Sequence, residues 1–176
     1  MINETLTTLK NRRSIRQFKP EQILAEDLQT VLEAGTFAPT GGGKQSPTIV
    51  AVQDPATVKQ LDEMNAKVLN PKGGIHPYYG APTIVLVLAP EGFITGVEDA
   101  SLVAGNIMNA AYSIGLGSCW IHRANEMFAS AEGKALLKKW GLSEKLHGVA
   151  SIALGYQAGE QPTAAKRKED YLVYIK

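Results

Sequence analysis

This sequence has one cysteine, three histidines and aromatic side chains at only 7% of its 176 positions. Each scarcity excludes a class of function. Cys119 alone forms no internal disulfide, and His76, His122 and His147 show no metal-ligand spacing, so no resident metal is expected. No segment approaches the roughly 18 unbroken apolar residues of a membrane helix. The opening residues MINETLTTLKNRR carry no secretory apolar core either. The reading is therefore a cytoplasmic protein without a membrane partner. Eighteen basic against seventeen acidic residues leave a formal charge of +1, which supplies no overall field for nucleic acid or anionic lipid. With so few aromatics to stack on bases, nucleic-acid binding is not expected.

Three familiar catalytic or nucleotide motifs are also missing. GGGKQS, from Gly41, lacks the spacing that wraps a triphosphate. GLGSCW, from Gly115, places Trp120 where a dinucleotide-binding turn needs glycine or alanine, and it follows a helical pattern instead of a strand. No G-x-S-x-G elbow occurs. Cys119 stands in the apolar run SCWI, and residues three apart on a strand face opposite sides, which separates it from His122. Cys119 reads as a small buried hydrophobe. Trp120 stays open between a core position and a ligand-facing one.

What the chain does have is 44% apolar residues in periodic segments, enough for one domain over residues 1–176. Leu6 and Leu9 behind Asn3 predict a short first helix, and Leu28, Val31 and Leu32 predict a second, closed by Gly35. APTGGGKQSP, residues 38–47, reads as a loop whose backbone approaches a ligand closely, with strand-like TIVAVQ directly after it. Residues 55–69 predict a helix with Val58, Leu61 and Val68 on one face. APTIVLVLA at 81–89 predicts a strand covered on both faces. Residues 98–117 predict a long helix, apolar nearly all round, which must be central or lie in a subunit interface. SCWI and GVASIALGY read as two more buried strands flanking amphipathic GKALLKKWGL, and the tail reads as a basic triplet before a final short strand. Helices and strands mix without strict alternation, so the fold class is α+β.

Local charge is where the chemistry points. KNRRSIRQFK, residues 10–19, gathers Lys10, Arg12, Arg13, Arg16 and Lys19 around Ser14, and Lys166, Arg167 and Lys168 form a second cluster. Guanidinium groups fork two parallel charge-assisted hydrogen bonds onto a phosphate, and a serine hydroxyl adds a third. A solvated charge run is the plain alternative, and the functional reading needs the fold to bring the two clusters together.

Taken in order, RRSIRQF, APTGGGKQSP, MNA, the helix ending GLGSCWI and the terminal KRKE resemble the flavin-dependent nitroreductase family, its short members above all. The resemblance spans nearly the whole chain. It implies an α+β fold with a central antiparallel sheet flanked by helices, built as an intertwined homodimer with FMN at the subunit interface. It assigns Arg12, Arg13, Ser14 and Arg16 to FMN, with Arg16 near the pyrimidine edge of the ring, and Arg167 to the phosphate with Lys168 beside it. Pro39, Thr40 and Gly41 fall in the loop that the partner subunit contributes, Asn65 at an amide on the ring or ribityl, and the backbone of Ile121 and His122 against flavin N5. No side chain is implied as the chemical catalyst, since flavin N5 carries the reaction. The chain departs from many relatives at Gly43 and at Ser46-Pro47, and residues 65–79 are too rich in glycine and proline for a long covering helix.

The implied activity is hydride transfer from NADH or NADPH through flavin N5 to a nitroaromatic, quinone or similar small-molecule acceptor, in a ping-pong scheme. A flavin-binding or redox-sensing module of the same fold without efficient turnover is the alternative.

Overall fold

The computed structural model of the chain describes residues 1–70 and 72–176. Its helices begin where side-chain acceptors meet backbone N–H groups that have no partner inside the helix. Asn3 Oδ1 accepts from Leu6 N at 2.8 Å and starts α1 (Glu4–Asn11). α2 (Ala25–Thr36) and β1 (Thr48–Val52) follow. Asp54 caps α3 (Pro55–Leu69) by accepting from Thr57 N at 2.9 Å, and Pro55 opens that helix, where a missing N–H costs nothing. Then come β2 (Thr83–Pro90), α4 (Gly96–Ser113), β3 (Gly117–Ile121), α5 (Ala124–Ala129), α6 (Ala131–Lys139) and β4 (Leu146–Gly155).

The strands form one antiparallel sheet in the order β1-β2-β4-β3, with helices on both faces, which is the expected α+β class. β2 shows why its sequence is apolar without alternation. Ile84, Leu86 and Leu88 enter one core with Leu61 and Met64 of α3, Phe128 of α5 and Leu137 of α6. Val85, Val87 and Ala89 enter the other with Val31 of α2 and Val103, Ala104 and Ile107 of α4. Both faces of the strand are therefore sealed.

Four sequence readings change. α2 runs past Gly35 to Thr36, and a Cβ at position 35 would lie 2.7 Å from Ile107 Cγ1, so this glycine serves α2–α4 contact and does not close the helix. The long helix expected at 98–117 stops at Ser113, because Gly115 at φ 85° turns the chain into β3. α5, at 6 residues, is too short to show a period and was not foreseen. The final strand is absent: the tail makes one 3-10 turn at Glu169–Tyr171, and residues 172–176 are exposed. A strand needs an open sheet edge, and that of β3 is taken by the N-terminal segment. Ser14 bridges Ser118 in parallel and Ile15 N donates to Ser118 O at 3.0 Å. Within the glycine-rich stretch 65–79, α3 ends at Leu69; Pro71 lies outside the described residues.

A bulge in β4 positions the end of β3. Val87 pairs with Ala150 but Leu88 pairs with Gly148, leaving Val149 extra. A Cβ on Gly148 would lie 2.3 Å from Ala124 O and 2.5 Å from Ala124 C, so the first turn of α5 rests on bare strand backbone. Gly148→Ala is expected to lift α5 from the sheet at a cost of about 2 to 3 kcal/mol. Urea denaturation checks this as a lower midpoint at constant slope.

Candidate cofactor and acceptor site

The basic stretch lies extended along the outer edge of β3 because Ile15 anchors it. Ile15 is buried, and a Cβ at Gly117 would stand 3.1 Å from three of its side-chain atoms, so the glycine makes room for the anchor. Neighbouring side chains then point elsewhere. Arg12 Nη1 and Arg13 Nε are buried with no hydrogen-bond partner among the described residues. Arg13 Nη1, by contrast, donates to Lys10 O at 2.8 Å and Arg12 O at 2.7 Å. A buried guanidinium N–H without an acceptor is costly, and an anion placed there removes the cost.

Arg16, Ser14 and Arg12 all gather around Cys119. Burial pushes the Cys119 thiol up, and the Arg16 charge, a Ser14 hydrogen bond and the Arg12 charge oppose that only in part. The thiol stays neutral, as the sequence reading of a buried hydrophobe requires. Beside it opens a cavity of about 400 Å³, walled by Arg16, by Cys119 through His122 at the end of β3, and by Leu69, Ile75, His76, Pro77 and Tyr79. Its described lining contains three basic or imidazole side chains and no carboxylate. Trp120 faces this cavity while also packing on the α4 side of the core, which combines its two open readings.

The end of β3 is held rigidly. Arg123 takes a left-handed conformation at φ 81°, a cost that an arginine bears only where its surroundings impose it. Its Nη1 donates to Glu126 Oε1 at 2.9 Å, which keeps the Glu126 carboxyl below its usual range together with a backbone hydrogen bond. Asn65, fully buried, donates from Nδ2 to His122 O at 2.7 Å and to Met127 Sδ at 3.2 Å. The resemblance implies a direct bond from this amide to the ring or ribityl. In the structure Nδ2 fixes the His122 carbonyl, while Oδ1 is buried without a hydrogen-bond partner among the described residues.

Tyr78 completes this support, with its hydroxyl hydrogen-bonded to Ser151 Oγ and near Met127 Sδ. Burial pushes Tyr78 up to about 12. The folded chain thus holds its proton where the unfolded chain, at about 10, releases it. Stability is therefore expected to be intact below pH ~10 and to fall by about 2 to 3 kcal/mol as pH rises through ~12. Chemical denaturation against pH checks this, and Tyr78→Phe flattens that slope.

The loop at 39–46 is organised by one carboxylate. Asp99, 3% exposed in the first turn of α4, accepts from Gly41 N at 2.8 Å, Ser46 Oγ at 3.2 Å and Thr95 Oγ1 at 3.1 Å. Gly42 and Gly43 take φ of 58° and 67°, which only glycine adopts freely. This loop, with Pro39, Thr40 and Gly41, leads into β1, while Arg12 to Arg16 line β3. The strands they flank, β1 and β3, are the opposite edges of a four-stranded sheet, about 14 Å apart at the usual strand spacing, and the arginine segment lies one spacing further out. The cavity that Arg16 lines has none of Pro39, Thr40 or Gly41 in its described wall.

The second basic cluster is less fixed. Gln161 Nε2 donates to Asn11 O at 2.9 Å, which ties the start of the tail beside Arg12. Further along, Arg167 donates from Nε and Nη2 to Ala165 O at 3.2 and 2.9 Å, and Lys168 pairs with Asp170 at 3.6 Å. No contact joins Arg167 to Arg12 among the described hydrogen bonds and ion pairs.

Sequence reasoning missed Asp99, Arg123 and Tyr78. Asp99 left a signal, a carboxylate inside a helix otherwise apolar nearly all round; Arg123 and Tyr78 left none, because strain and burial are tertiary facts.

An α+β sheet edged by arginines beside a small cavity is the class of architecture on view, and comparison with known proteins gives it a family. Residues 9–156 match the profile of the Nitroreductase family, and the chain belongs to that family. It is 29% identical over 166 residues to an Archaeoglobus fulgidus protein named as an NADH dehydrogenase/NAD(P)H nitroreductase, covering 91% of this chain and 89% of that one. It is 29% identical over 135 residues to an FMN reductase (NADPH) of Bacillus subtilis, covering 68% of this chain and 54% of that one. The chain thus spans about half the length of several curated relatives. Among solved structures, a Bacteroides fragilis nitroreductase with bound FMN superposes at TM-score 0.91 with 30% identity, over 99% of this chain and 100% of that one. An FMN-dependent nitroreductase from Clostridium difficile superposes at 0.84 with 26% identity, over 98% and 99%.

Proposed function

We propose that this chain binds FMN and works as an NAD(P)H-dependent FMN oxidoreductase, passing electrons in a ping-pong scheme to a nitroaromatic, quinone or similar acceptor. The observation that carries this reading is the pair of buried, unpartnered guanidinium nitrogens on Arg12 and Arg13 at the sheet edge that also borders the cavity. The FMN bound to the Bacteroides relative and the nicotinamide specificities in the relatives' names support it.

Arg12, Arg13 and Ser14 would hold phosphate and ribityl. When bound, FMN supplies a two-electron relay between the nicotinamide and the acceptor. Arg16, on the cavity wall, would set a cation against the negative charge that reduction places on the ring, which favours the reduced form. The backbone at Ile121 and His122, fixed by Asn65 and by the turn at Arg123, would orient the ring without an acidic side chain. The His122 side chain needs no chemical role in this scheme.

Pro39, Thr40 and Gly41 stand at the far edge of the sheet, so they reach the same cofactor only from a second subunit. That supports an intertwined homodimer, as do the exposed Val97 and Leu102 on α4 and the exposed apolar tail from Leu172 to Ile175. Arg167 and Lys168 would meet the phosphate once the tail is covered. Two measurements test the reading. Purified protein should be yellow or take up FMN, and stopped-flow mixing with NADH or NADPH should bleach the flavin, with quinone restoring it. A chain that stays colourless in excess FMN refutes it, and flavin uptake without turnover leaves a redox-sensing module.

A further inference from the structure

One titratable group on the cavity wall, His76, is given no role by the proposed cofactor contacts. His76 Nδ1 lies 2.8 Å from Asp62 Oδ2, and Asp62 Oδ1 accepts from Tyr78 N at 3.0 Å. The carboxylate is therefore fixed from both sides before it meets the ring. Asp62 is 16% exposed and His76 82% exposed, so as an ion pair this contact adds little stability. Its location is more telling. His76 lines two cavities: the one beside Cys119 and His122, and a neighbouring one that it shares with Asp62. Asp62 holds the ring from the second side, and Nε2 has no partner among the described hydrogen bonds.

We propose that His76 is a catalytic residue that protonates the electron acceptor, with Asp62 as its positioning residue. This rests on the proposed function, with the acceptor stacking beside the flavin ring in the cavity that His76 lines. A quinone reduced to a hydroquinone gains two electrons and two protons. The electrons and one proton would be supplied as hydride from NAD(P)H, the chemistry that bound FMN would provide. The second proton passes from Nε2 of the His76 imidazolium to the quinone oxygen, and the neutral ring recovers a proton from water, which its exposure allows. Asp62 holds the ring at Nδ1 and keeps the neutral-ring proton there, which leaves Nε2 free to act. Other groups facing the ring are Lys59 across the second cavity and Arg16, Tyr79 and His122 around the first. Only His76 among the cavity's histidines has a carboxylate on its ring among the described contacts.

The test uses FMN-loaded wild type, His76→Gln and Asp62→Ala, each reduced with NAD(P)H and reoxidised in stopped flow by a naphthoquinone or by ferricyanide, which takes electrons without protons. In His76→Gln, quinone reoxidation is expected to slow by about 100-fold, the lower end of general-acid effects, and to lose its pH dependence between about pH 5 and 8. Ferricyanide reoxidation, FMN affinity and reduction by NAD(P)H should be unchanged. Equal quinone rates in wild type and His76→Gln, or equal slowing with both acceptors, overturns the proposal. A second readout needs no flavin: NMR of the imidazole nitrogens should show the neutral His76 ring protonated at Nδ1 in wild type and shifted toward Nε2 in Asp62→Ala. An identical tautomer in both also overturns it. A wild type that takes up no FMN fails at the earlier step and removes this inference together with the proposed function.

Discussion

Arg12→Ala is expected to weaken FMN binding by about 10- to 100-fold, the loss of charge-assisted contacts worth roughly 1.5 to 3 kcal/mol, while leaving the flavin-free chain as stable as before or more so. The second half of that expectation makes the first specific. Arg12 Nη1 is buried without an acceptor, so in the flavin-free state the guanidinium carries an uncompensated desolvation cost. Removing it relieves that cost and removes the ligand contact at once. A group that merely held the fold together would do the opposite. Quenching of flavin fluorescence on titration measures the affinity, and thermal denaturation without FMN measures stability. Unchanged affinity would place the phosphate elsewhere.

Asp99→Ala should cost about 3 to 5 kcal/mol, because three donors lose one shared buried acceptor together. Gly41 N, Ser46 Oγ and Thr95 Oγ1 all meet this carboxylate, which also sits in the positive first turn of α4. Within itself the loop has only a tight turn, with Gly43 N on Thr40 O at 2.9 Å, Lys44 N on Gly41 O at 3.2 Å and Gln45 N on Thr40 Oγ1 at 3.0 Å, so Asp99 is what ties that turn to α4. Limited proteolysis should then cut near Lys44 in the variant and not in the wild type, and urea denaturation should show the lost stability. Asp99→Asn retains acceptor capacity and should recover part of both.

The sheet was legible because apolar runs of strand length at 81–89 and 148–156 have no other stable use, and the arginine cluster because a near-neutral chain otherwise gives no reason for it. α3 was legible to its ends, residues 55–69, from the spacing of Val58, Leu61 and Val68. The tail departs from its strand propensity because residues 172–176 are exposed and pair with no strand of the single chain among the described residues. The N-terminal arginines of the candidate site were visible as a basic stretch in the sequence, while what surrounds them was not. Nothing in the sequence tells that the Asn65 amide is used on the His122 carbonyl, that Gly148 is bare for the sake of Ala124, or that Asp99 holds a loop 58 residues earlier. These depend on which backbones meet.

The placement of the arginines and the glycine loop at opposite edges of one sheet has a genetic consequence under the proposed pairing. Each composite site would draw its arginines from one chain and its loop from the other. A chain damaged only at its arginine edge and a chain damaged only at its loop edge would each be defective alone. Mixed in one cell, they would form hybrids with one site doubly broken and the other wholly intact, so two inactive alleles would complement each other.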